Sequence, residues 1–472
     1  MQRLNGLDAG FLFGETPEWH MHVGGLVVLD TPGWDRPPVE MIRELLQARL
    51  HLLGPFRQRL VPSPLHVGRP VWVDTPDLDV EAHVRSLRVP TPGDATRLAS
   101  LLDDLMRDQL DRSRPLWEAW VVEGLADDRV ALFMKIHHSL TDGVRGARLY
   151  EAIFDLDPAA PMAREDTLEG VVPDAQKGTG VSPVEAATGA LATLAATPGR
   201  LAQLAAESLR TAGRMGRFVT SSEARAATWP FRAPRTPFNG RLTPRRALAF
   251  GSIPFADVQA LRRGLHVTVN DVILAVTAGA LRAYLLERNA LPERSLVAEI
   301  PVGVHRDQPA DRGNFVASTG ASLHTDVGDP IERLLAVHAS ATSAKALQSA
   351  LGDDLVVEGL ALVPPRMLRL GVGAYRRLQL DRLHPPIFNT IVSNVPGAPV
   401  ELYVLGARVA GIHMFGPLLV DCGLNVTFSS TLGQLDVGIT ACPELVEDPW
   451  AIASGLRVAL AELRDALTAR VA

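Results

Sequence analysis

The sequence is poor in the features that mark secreted, nucleic-acid-binding and membrane-spanning proteins. Its 472 residues include 2 cysteines, too few for a disulfide framework, and this favours a reducing compartment. Acidic residues outnumber basic ones, 53 to 47, and the net charge of −6 argues against a concentrated phosphate-binding face. The sequence has no run of about 20 uninterrupted apolar residues, so no helix is expected to span a bilayer.

The composition that remains is typical of a globular protein. Hydrophobic residues make up 47% of the chain and charged residues 21%. Residues 1–8 lack a charged region followed by an apolar run, so no signal peptide is expected there. The length favours two or three domains, and we divide the chain into an N-terminal half at 1–180, a crossover at 181–244 and a C-terminal half at 245–472.

The crossover differs in composition from both halves. Residues 158–183 are rich in Pro, Gly, Asp and Glu without periodicity, which predicts a loop. An Ala- and Leu-rich helical stretch and a second loop, rich in Pro and Arg, follow before residue 244. The helical stretch carries Arg200, Arg210, Arg214 and Arg217.

Hydrophobic periodicity predicts alternating strands and helices on both sides of the crossover, and therefore an α/β fold. The predicted strands are 23–29, 117–123, 130–136, 246–253, 296–302, 315–323 and 390–395, with a hairpin of 424–429 and 434–440 around Gly433. The predicted helices are 37–53, 96–110, 145–154, 254–263, 268–286, 330–350 and 449–469.

The residues best suited to chemistry directly follow an apolar strand. They are His137-His138-Ser139-Leu140-Thr141-Asp142-Gly143. Adjacent side chains on a strand point to opposite faces, so one of the two histidines can face a given cavity. A histidine suits general-base work because its pKa lies near working pH. Taken singly, a histidine at a strand end is often structural, and Asp142 can be a helix N-cap.

The complete pattern is more specific than its parts. His-His-x-x-x-Asp-Gly resembles the signature of acyltransferases that use CoA or carrier thioesters: chloramphenicol acetyltransferase, condensation domains and the bacterial wax ester synthase/diacylglycerol acyltransferase family. Further segments are similar to the last of these, although Gly303 stands where that family usually has Ser. These segments are Leu4–Phe13, Glu15–Pro17, Met21–Leu26, Arg114–Trp117, Asn270-Asp271, Pro301–Val304, Gly313-Asn314 and Ser393–Gly397.

The resemblance implies two chloramphenicol-acetyltransferase-like α/β halves joined by a long crossover, with the active site at their interface. It also implies an O-acyltransferase that moves a long acyl chain from acyl-CoA to diacylglycerol, a long-chain alcohol, or both. No cofactor is implied beyond acyl-CoA as substrate. His138 would be the general base. His137 would support its loop, and a role of His137 in the catalytic site remains open. Asp142 would hold that loop through an arginine, for which Arg306 is the candidate.

The family motifs also point to residues that would bind substrate or support the site. They are Pro115, Leu116, Trp117, Gly143, Asn270, Asp271, Ser393 and Asn394. Asn270 has a second interpretation, as the N-cap of a helix at 271–286. His20 and His22 form a His-x-His pair without a carboxylate or thiol cluster, so no metal site is predicted.

The implied substrates are lipids, so we expect a cytoplasmic protein in peripheral contact with the inner face of the membrane or with lipid inclusions. The arginines of 184–217 could touch anionic headgroups, or that segment could be a packed crossover helix. Two other functions remain open: the same chemistry on a sugar or polyketide alcohol, and a non-catalytic lipid-binding protein. The intact histidine motif argues against the second.

Overall fold

Two six-stranded sheets and a small three-stranded sheet form the framework of the protein. The computed structural model describes residues 2–4, 6–31, 33–61, 70–140, 152–163, 206–303, 316–352 and 365–471. The small sheet has the order β1-β4-β3. Its strands are β1 (Gln2–Arg3), β3 (Gln58–Val61) and β4 (Val71–Asp74).

The first large sheet carries the histidine turn. Its order is β12-β13-β2-β7-β6-β5, and all neighbours are antiparallel except β5 and β6. Its strands are β2 (His22–Asp30), β5 (Val84–Arg88), β6 (Trp117–Glu123), β7 (Val130–His137), β12 (Tyr403–Val404) and β13 (Ala407–Phe415).

Strand β7 is buried along its whole length because helices cover both faces of this sheet. Leu132 and Met134 pack with α2, whereas Ala131 and Phe133 pack with α4 on the opposite face. The helices of this half are α1 (Gly6–Gly14), α2 (Pro38–Arg49), α3 (Val80–His83) and α4 (Ala95–Arg107).

The second large sheet belongs to the C-terminal half. Its order is β10-β9-β11-β14-β15-β8, with β11 parallel to both of its neighbours and the other pairs antiparallel. Its strands are β8 (Ala247–Pro254), β9 (Val297–Gly303), β10 (Val316–Ser322), β11 (Thr390–Val395), β14 (Leu424–Thr431) and β15 (Gln434–Ala441).

One face of the second sheet is apolar and lies under helices. Val392, Val426 and Ile439 belong to the largest hydrophobic cluster, together with residues of α5, α6, α7 and α9. The helices of this half are α5 (Phe255–Leu265), α6 (Val269–Glu287), α7 (Pro330–Leu351), α8 (Pro365–Arg377) and α9 (Pro449–Val471).

Helix α6 is long and apolar enough, by length and composition, to cross a membrane. However, 72% of its apolar window is buried inside the protein. From Val272 to Leu281 every residue is buried, on all sides of the helix. A helix that is hydrophobic all round is expected at the centre of a large core, and this is where α6 lies.

The opposite face of the second sheet is polar. The register of β9, β11 and β14 places Glu299, Ser393, Asn425 and Thr427 on this side, because alternate residues of a strand share a face. On the same face, Ser429 hydrogen-bonds to the backbone of β13. Since β13 belongs to the first sheet, the polar face lies between the two halves.

Strand β13 joins the two halves through backbone contacts. The chain leaves β11, pairs with β2 through β13, and returns as β14. The Ile412 N–H donates to the Asp436 carboxylate at 2.8 Å. A Cβ on Gly438 would lie 2.1 Å from the Met414 carbonyl oxygen, so this approach requires glycine. Sequence analysis predicted neither β12 nor β13.

The described part of the crossover begins with a packed helix at residues 206–219. The Arg214 guanidinium donates to the Ala350 carbonyl at 3.0 Å, and the Thr211 hydroxyl donates to the Leu351 carbonyl at 3.1 Å. Both contacts satisfy carbonyls at the end of α7. Phe218 packs against Leu347 in a small hydrophobic cluster. These contacts fit the packed-helix interpretation of this segment.

The α/β prediction is confirmed, and the predicted elements that lie in the described chain are present. The helices predicted at 37–53 and 96–110 end earlier, at Arg49 and Arg107, the second because Asp108 adopts extended backbone. Besides β12 and β13, strands β1, β3, β4 and β5 and helices α1, α3 and α8 were not predicted. Asp142, Gly143, Arg200, Arg306 and most of the helix predicted at 145–154 lie outside the described residues.

We expect Gly438→Ala to destabilise the protein by about 1–3 kcal/mol, because the added methyl group would press on the β13 backbone. Gly213→Ala is the matched control, since Gly213 lies exposed in the crossover helix with no atom within 4 Å of the new methyl. The control should gain about 0.5–1 kcal/mol. Urea unfolding measures the free energy of unfolding of both variants. Equal effects would contradict the close contact between Gly438 and the Met414 carbonyl of β13.

Candidate active site

The two histidines lie on a turn that neighbouring strands hold in place. His137 is the last residue of β7 and His138 follows it. The His137 N–H donates to the Leu116 carbonyl at 3.0 Å, and the His138 N–H donates to the Met21 carbonyl at 2.7 Å. Leu116 immediately precedes β6, and Met21 immediately precedes β2. Three adjacent strands therefore fix the backbone of the pair.

His137 is turned into the protein and is 1% exposed. Its Nδ1 accepts a hydrogen bond from the Ser139 N–H at 3.1 Å and lies 2.6 Å from the Ser139 hydroxyl. An accepting Nδ1 places the ring proton on Nε2. That nitrogen lies 3.3 Å from Oε1 of Glu15. The ring therefore links the turn to a buried carboxylate.

Glu15 is the charged centre beneath the turn, with a side chain 2% exposed. Its Oε1 accepts from the Met21 N–H at 2.7 Å, and its Oε2 accepts from the Arg112 guanidinium at 2.7 Å. Burial raises the pKa of Glu15, but the contacts with His137, Arg112 and the Met21 N–H outweigh it and lower this pKa to about 2. Glu15 is therefore a carboxylate at neutral pH.

Sequence reasoning did not identify Glu15 as a site residue, although the segment Glu15–Pro17 contributed to the family resemblance. Its partner His137 lies 122 residues later in the chain, and no local spacing connects them. The one available signal was the presence of Glu15 close before His20 and His22, on the segment leading into β2.

His20 and His22 extend this buried polar group. His22 lies opposite His137 in the β2–β7 ladder, and its Nε2 accepts from the Leu110 N–H at 3.3 Å. The Nε2 of His20 lies 2.9 Å from the Met106 carbonyl. Burial, with Arg246 nearby, lowers the pKa of His20 to about 4, and burial lowers the pKa of His22 well below its usual value. Both rings are therefore neutral.

No group of three or more His, Cys, Asp or Glu side chains in the described part of the chain is arranged to hold a metal ion. The rings of His20 and His22 instead pack against each other, with centroids 4.7 Å apart.

His138 occupies a different environment from His137. It is partly exposed, and its ring lies against Phe11 of α1 with centroids 5.1 Å apart. The two adjacent histidines thus serve different purposes, as the geometry of a strand end requires. His137 connects the turn to Glu15, whereas His138 is partly exposed beside Phe11.

The Pro115-Leu116-Trp117 segment is buried and structural. The Trp117 ring stacks between Phe56, at 4.7 Å, and His83, at 4.5 Å. Its indole N–H donates to the Phe56 carbonyl at 2.9 Å. Because the Leu116 carbonyl accepts from the His137 N–H, this segment supports the histidine turn from the side of β6.

Asn270 and Asp271 lie in the first turn of α6. Thr268 is the N-cap, and Asp271 completes a capping box with it, so the interpretation of Asn270 as the N-cap is wrong. Asp271 also lies 2.7 Å from Nδ1 of His338 on α7, which ties the two helices together. Asn270 is half-buried at the second position of the helix.

Ser393 and Asn394 are adjacent on β11 and therefore point to opposite faces of the sheet. Ser393 is on the polar face between the halves, beside Thr427 in the register. Asn394 is on the face that carries the helices. The structure thus separates two residues that the sequence motif presented as a pair.

Glu299 is a second buried acid, on the same polar face as Ser393, and sequence analysis did not identify it. The Ser318 hydroxyl donates to its carboxyl group. Burial raises the pKa of Glu299 to about 7, against the lowering effect of the Ser318 hydrogen bond. The polar face of the second sheet therefore combines hydroxyl groups, an amide and an acid.

Replacing Glu15 by glutamine should destabilise the folded protein by about 1.5–3 kcal/mol at neutral pH, because Arg112 and the Met21 N–H lose a charged acceptor. Since the folded-state pKa is lowered, this contribution is present above the usual pKa of 4.5 and disappears as pH falls towards 2.

Urea unfolding of wild type and Glu15→Gln at pH 7 and pH 4 measures this effect, and the gap should narrow at the lower pH. Glu123→Gln is the control, because Glu123 pairs with Arg88 at the surface and should change stability by less than about 1 kcal/mol. A gap that stays constant with pH would contradict the role of the Glu15 charge.

Comparison with known proteins identifies the family of the chain. The model of the wax ester synthase/diacylglycerol acyltransferase catalytic domain matches residues 4–273, and that of the family's C-terminal domain matches residues 312–464. A putative diacylglycerol O-acyltransferase of Mycobacterium tuberculosis is 37% identical, covering 98% of this chain and 90% of its own length. Another from the same species is 35% identical, covering 98% of this chain and 100% of its own length.

Solved structures show the same fold. The wax ester synthase/diacylglycerol acyltransferase of Marinobacter aquaeolei superimposes with a TM-score of 0.69 at 30% identity, covering 99% of this chain and 100% of that one. The starter condensation domain of rhizomide synthetase gives 0.55 at 14% identity, covering 98% and 94%, which shows a shared fold. With both family domains matched along most of its length, this chain belongs to the wax ester synthase/diacylglycerol acyltransferase family.

Proposed function

We propose that the protein transfers a long acyl chain from acyl-CoA to the hydroxyl of a diacylglycerol, a long-chain alcohol, or both, with His138 as general base. One observation carries the proposal. In a chain of this acyltransferase family, three strands and the buried Glu15–His137 contact fix the histidine turn. Of the two histidines on that turn, His138 is the one that is partly exposed.

In this mechanism the acceptor oxygen attacks the thioester carbonyl carbon while His138 takes the hydroxyl proton. The new C–O bond forms, the tetrahedral intermediate collapses, and the C–S bond breaks. The CoA thiolate leaves with the electron pair and receives the proton from the His138 imidazolium. A thiolate is a good leaving group, so no acyl-enzyme is required, and holding both substrates together supplies much of the acceleration.

Positioning is the role that we assign to the groups beneath the turn. A general base must lie within hydrogen-bond reach of the proton that it removes. His137 does not meet the substrate in this proposal. Its contacts with Ser139 and Glu15 hold the following residue at a constant place and angle. Pro115, Leu116 and Trp117 support the same turn from β6.

The acceptor side is assigned to the polar face of the second sheet. Ser393 offers a hydroxyl group there, and Glu299 offers a carboxyl group of raised pKa. Asn425 and Thr427 line the same face but are hydrogen-bonded to each other, and the Asn425 amide also donates to the Pro417 carbonyl. These groups can orient a hydroxyl in an otherwise apolar environment. We further propose that the protein is cytoplasmic and reaches its lipid substrates at a membrane or lipid inclusion.

His138→Ala should lower kcat by roughly 10²–10⁴-fold, the range that a positioned general base contributes. The assay follows free thiol released from palmitoyl-CoA in the presence of hexadecanol or dipalmitoylglycerol. His51→Ala is the control, since His51 is an exposed histidine in the turn after α2. A His138→Ala enzyme with near wild-type kcat would remove the base assignment.

Offering the two acceptors separately tests the substrate class. We expect thiol release that depends on an added hydroxyl, because the mechanism proceeds by direct attack without an acyl-enzyme. Turnover with at least one acceptor, and an ester product of matching mass, would support the proposal. A wild-type protein that is inert with both, or that releases thiol equally without acceptor, would contradict it.

A further inference from the structure

Helix α8 and the turn after it expose an unusual amount of apolar surface. The exposed residues of this region, which we call the apolar patch, are Met367 (63%), Leu370 (71%), Leu378 (65%), Leu383 (79%) and Ile387 (42%). Single exposed apolar residues are common on soluble proteins, but a group of this size marks an interaction surface.

The patch is arranged along one side of its helix. Met367, Leu370 and Leu378 lie three and eight residues apart, which places them within about 80° of one another at 100° per residue. Between them, Ala374 is also exposed on this side, whereas Tyr375 is half-buried. The exposed stripe thus continues from the helix into Leu383 in the following turn.

The same segment is strongly cationic in an otherwise acidic chain. Residues 365–387 contain five arginines and one carboxylate, Asp381, whereas the whole chain carries −6. Arg377 and Arg382 are both exposed. An amphipathic helix rich in arginine, with leucine and methionine on its outer side, is typical of a segment that lies in the interface of an anionic bilayer.

Contacts on the inner side hold this segment in place. The Arg235 guanidinium donates to the carbonyls of Asp381 and His384, at 2.9 and 2.8 Å. The Tyr375 hydroxyl lies 2.6 Å from Nε2 of His384, and Phe231 meets the same ring edge-on at 5.1 Å. The apolar patch is therefore presented on a fixed support.

The segment is also close to the site. Helix α8 packs against α1, and Phe11 of α1 lies against His138. One nine-residue helix thus contacts both the catalytic turn and the element that carries the apolar patch. A surface that holds α8 at a lipid layer would therefore hold His138 near the same layer.

We propose that the apolar patch docks the protein on an anionic lipid surface. Its leucines and Met367 enter the boundary between headgroups and acyl chains, while Arg377 and Arg382 meet lipid phosphates. The docking needs no catalysis. Only its use, the supply of a membrane-dissolved acceptor to His138, rests on the proposed function.

The test is co-sedimentation of the full chain with vesicles of phosphatidylcholine containing phosphatidylglycerol, and with vesicles of phosphatidylcholine alone. We expect wild type to prefer the anionic vesicles, and the preference to fall in high salt. The triple variant Met367→Ser/Leu370→Ser/Leu378→Ser should bind at least about tenfold more weakly, because three exposed side chains lose apolar contact. Arg377→Gln/Arg382→Gln should lose about fivefold per arginine.

A matched control separates this surface from general stickiness. Leu156→Ser/Leu432→Ser/Val458→Ser removes three exposed apolar side chains elsewhere, which are 73%, 54% and 68% exposed. It should bind vesicles as wild type does. Equal binding by wild type and the α8 triple variant, or equal losses in both triple variants, would overturn the proposal.

Two further readouts keep the outcomes distinct. If sedimentation velocity shows a dimer that only the α8 triple variant dissociates, with vesicle binding unchanged, the patch is a contact between two copies and the lipid proposal falls. Thiol release is assayed independently. A protein that binds anionic vesicles through α8 but is inert with every acceptor would refute the proposed function and leave the docking proposal standing.

Discussion

The contact between the Glu15 carboxylate and the His137 ring is the interaction on which the site depends. A buried charge is tolerated where hydrogen bonds and opposite charge compensate for lost water. Glu15 has both, from a backbone N–H, from Arg112 and from the ring of His137. The loop before β2, the segment before β6 and the end of β7 therefore meet at one carboxylate.

In the proposed function, this arrangement gives the two adjacent histidines separate roles in one proton transfer. A base at the end of a strand has few backbone restraints beyond the last ladder pair, and an error of an ångström in its position is costly. His137 supplies the missing restraint by binding both the following turn and the charged centre. His138 can then remain partly exposed without losing its orientation.

Sequence patterns predicted most elements of the C-terminal half, and they placed the histidine motif at the end of a buried strand, where the structure has it. The alternation of apolar and polar residues and the helical spacing of apolar residues predicted β8, β9, β11, the hairpin and α6. These elements follow the expected pattern because they are buried on one face or on all sides. Strand β13 was not predicted, because its partner β2 lies nearly 400 residues earlier in the chain. Its position also depends on Asp436 and Gly438, which belong to β15 in the second sheet.

Contacts between residues that are distant in the sequence also limited the prediction of the site. Local pattern singled out His137 and His138, but the partner of His137 is a carboxylate 122 residues away. The pair Ser393 and Asn394 shows the converse, because adjacency in sequence places them on opposite faces. No local sequence pattern identified Glu299. The burial that raises its pKa comes from the neighbouring strands of the sheet, which the sequence around Glu299 does not specify.

The shared strand β13 also limits how the enzyme can move. Its ladder to β2 runs from Asp30 to Gly24, and the backbone of Ile412, close to the bulge, is hydrogen-bonded to the side chains of Ser429 on β14 and Asp436 on β15. Separating the two halves would break many of these bonds at once. The two halves are therefore expected to behave as one mechanical unit, with β13 resisting their separation.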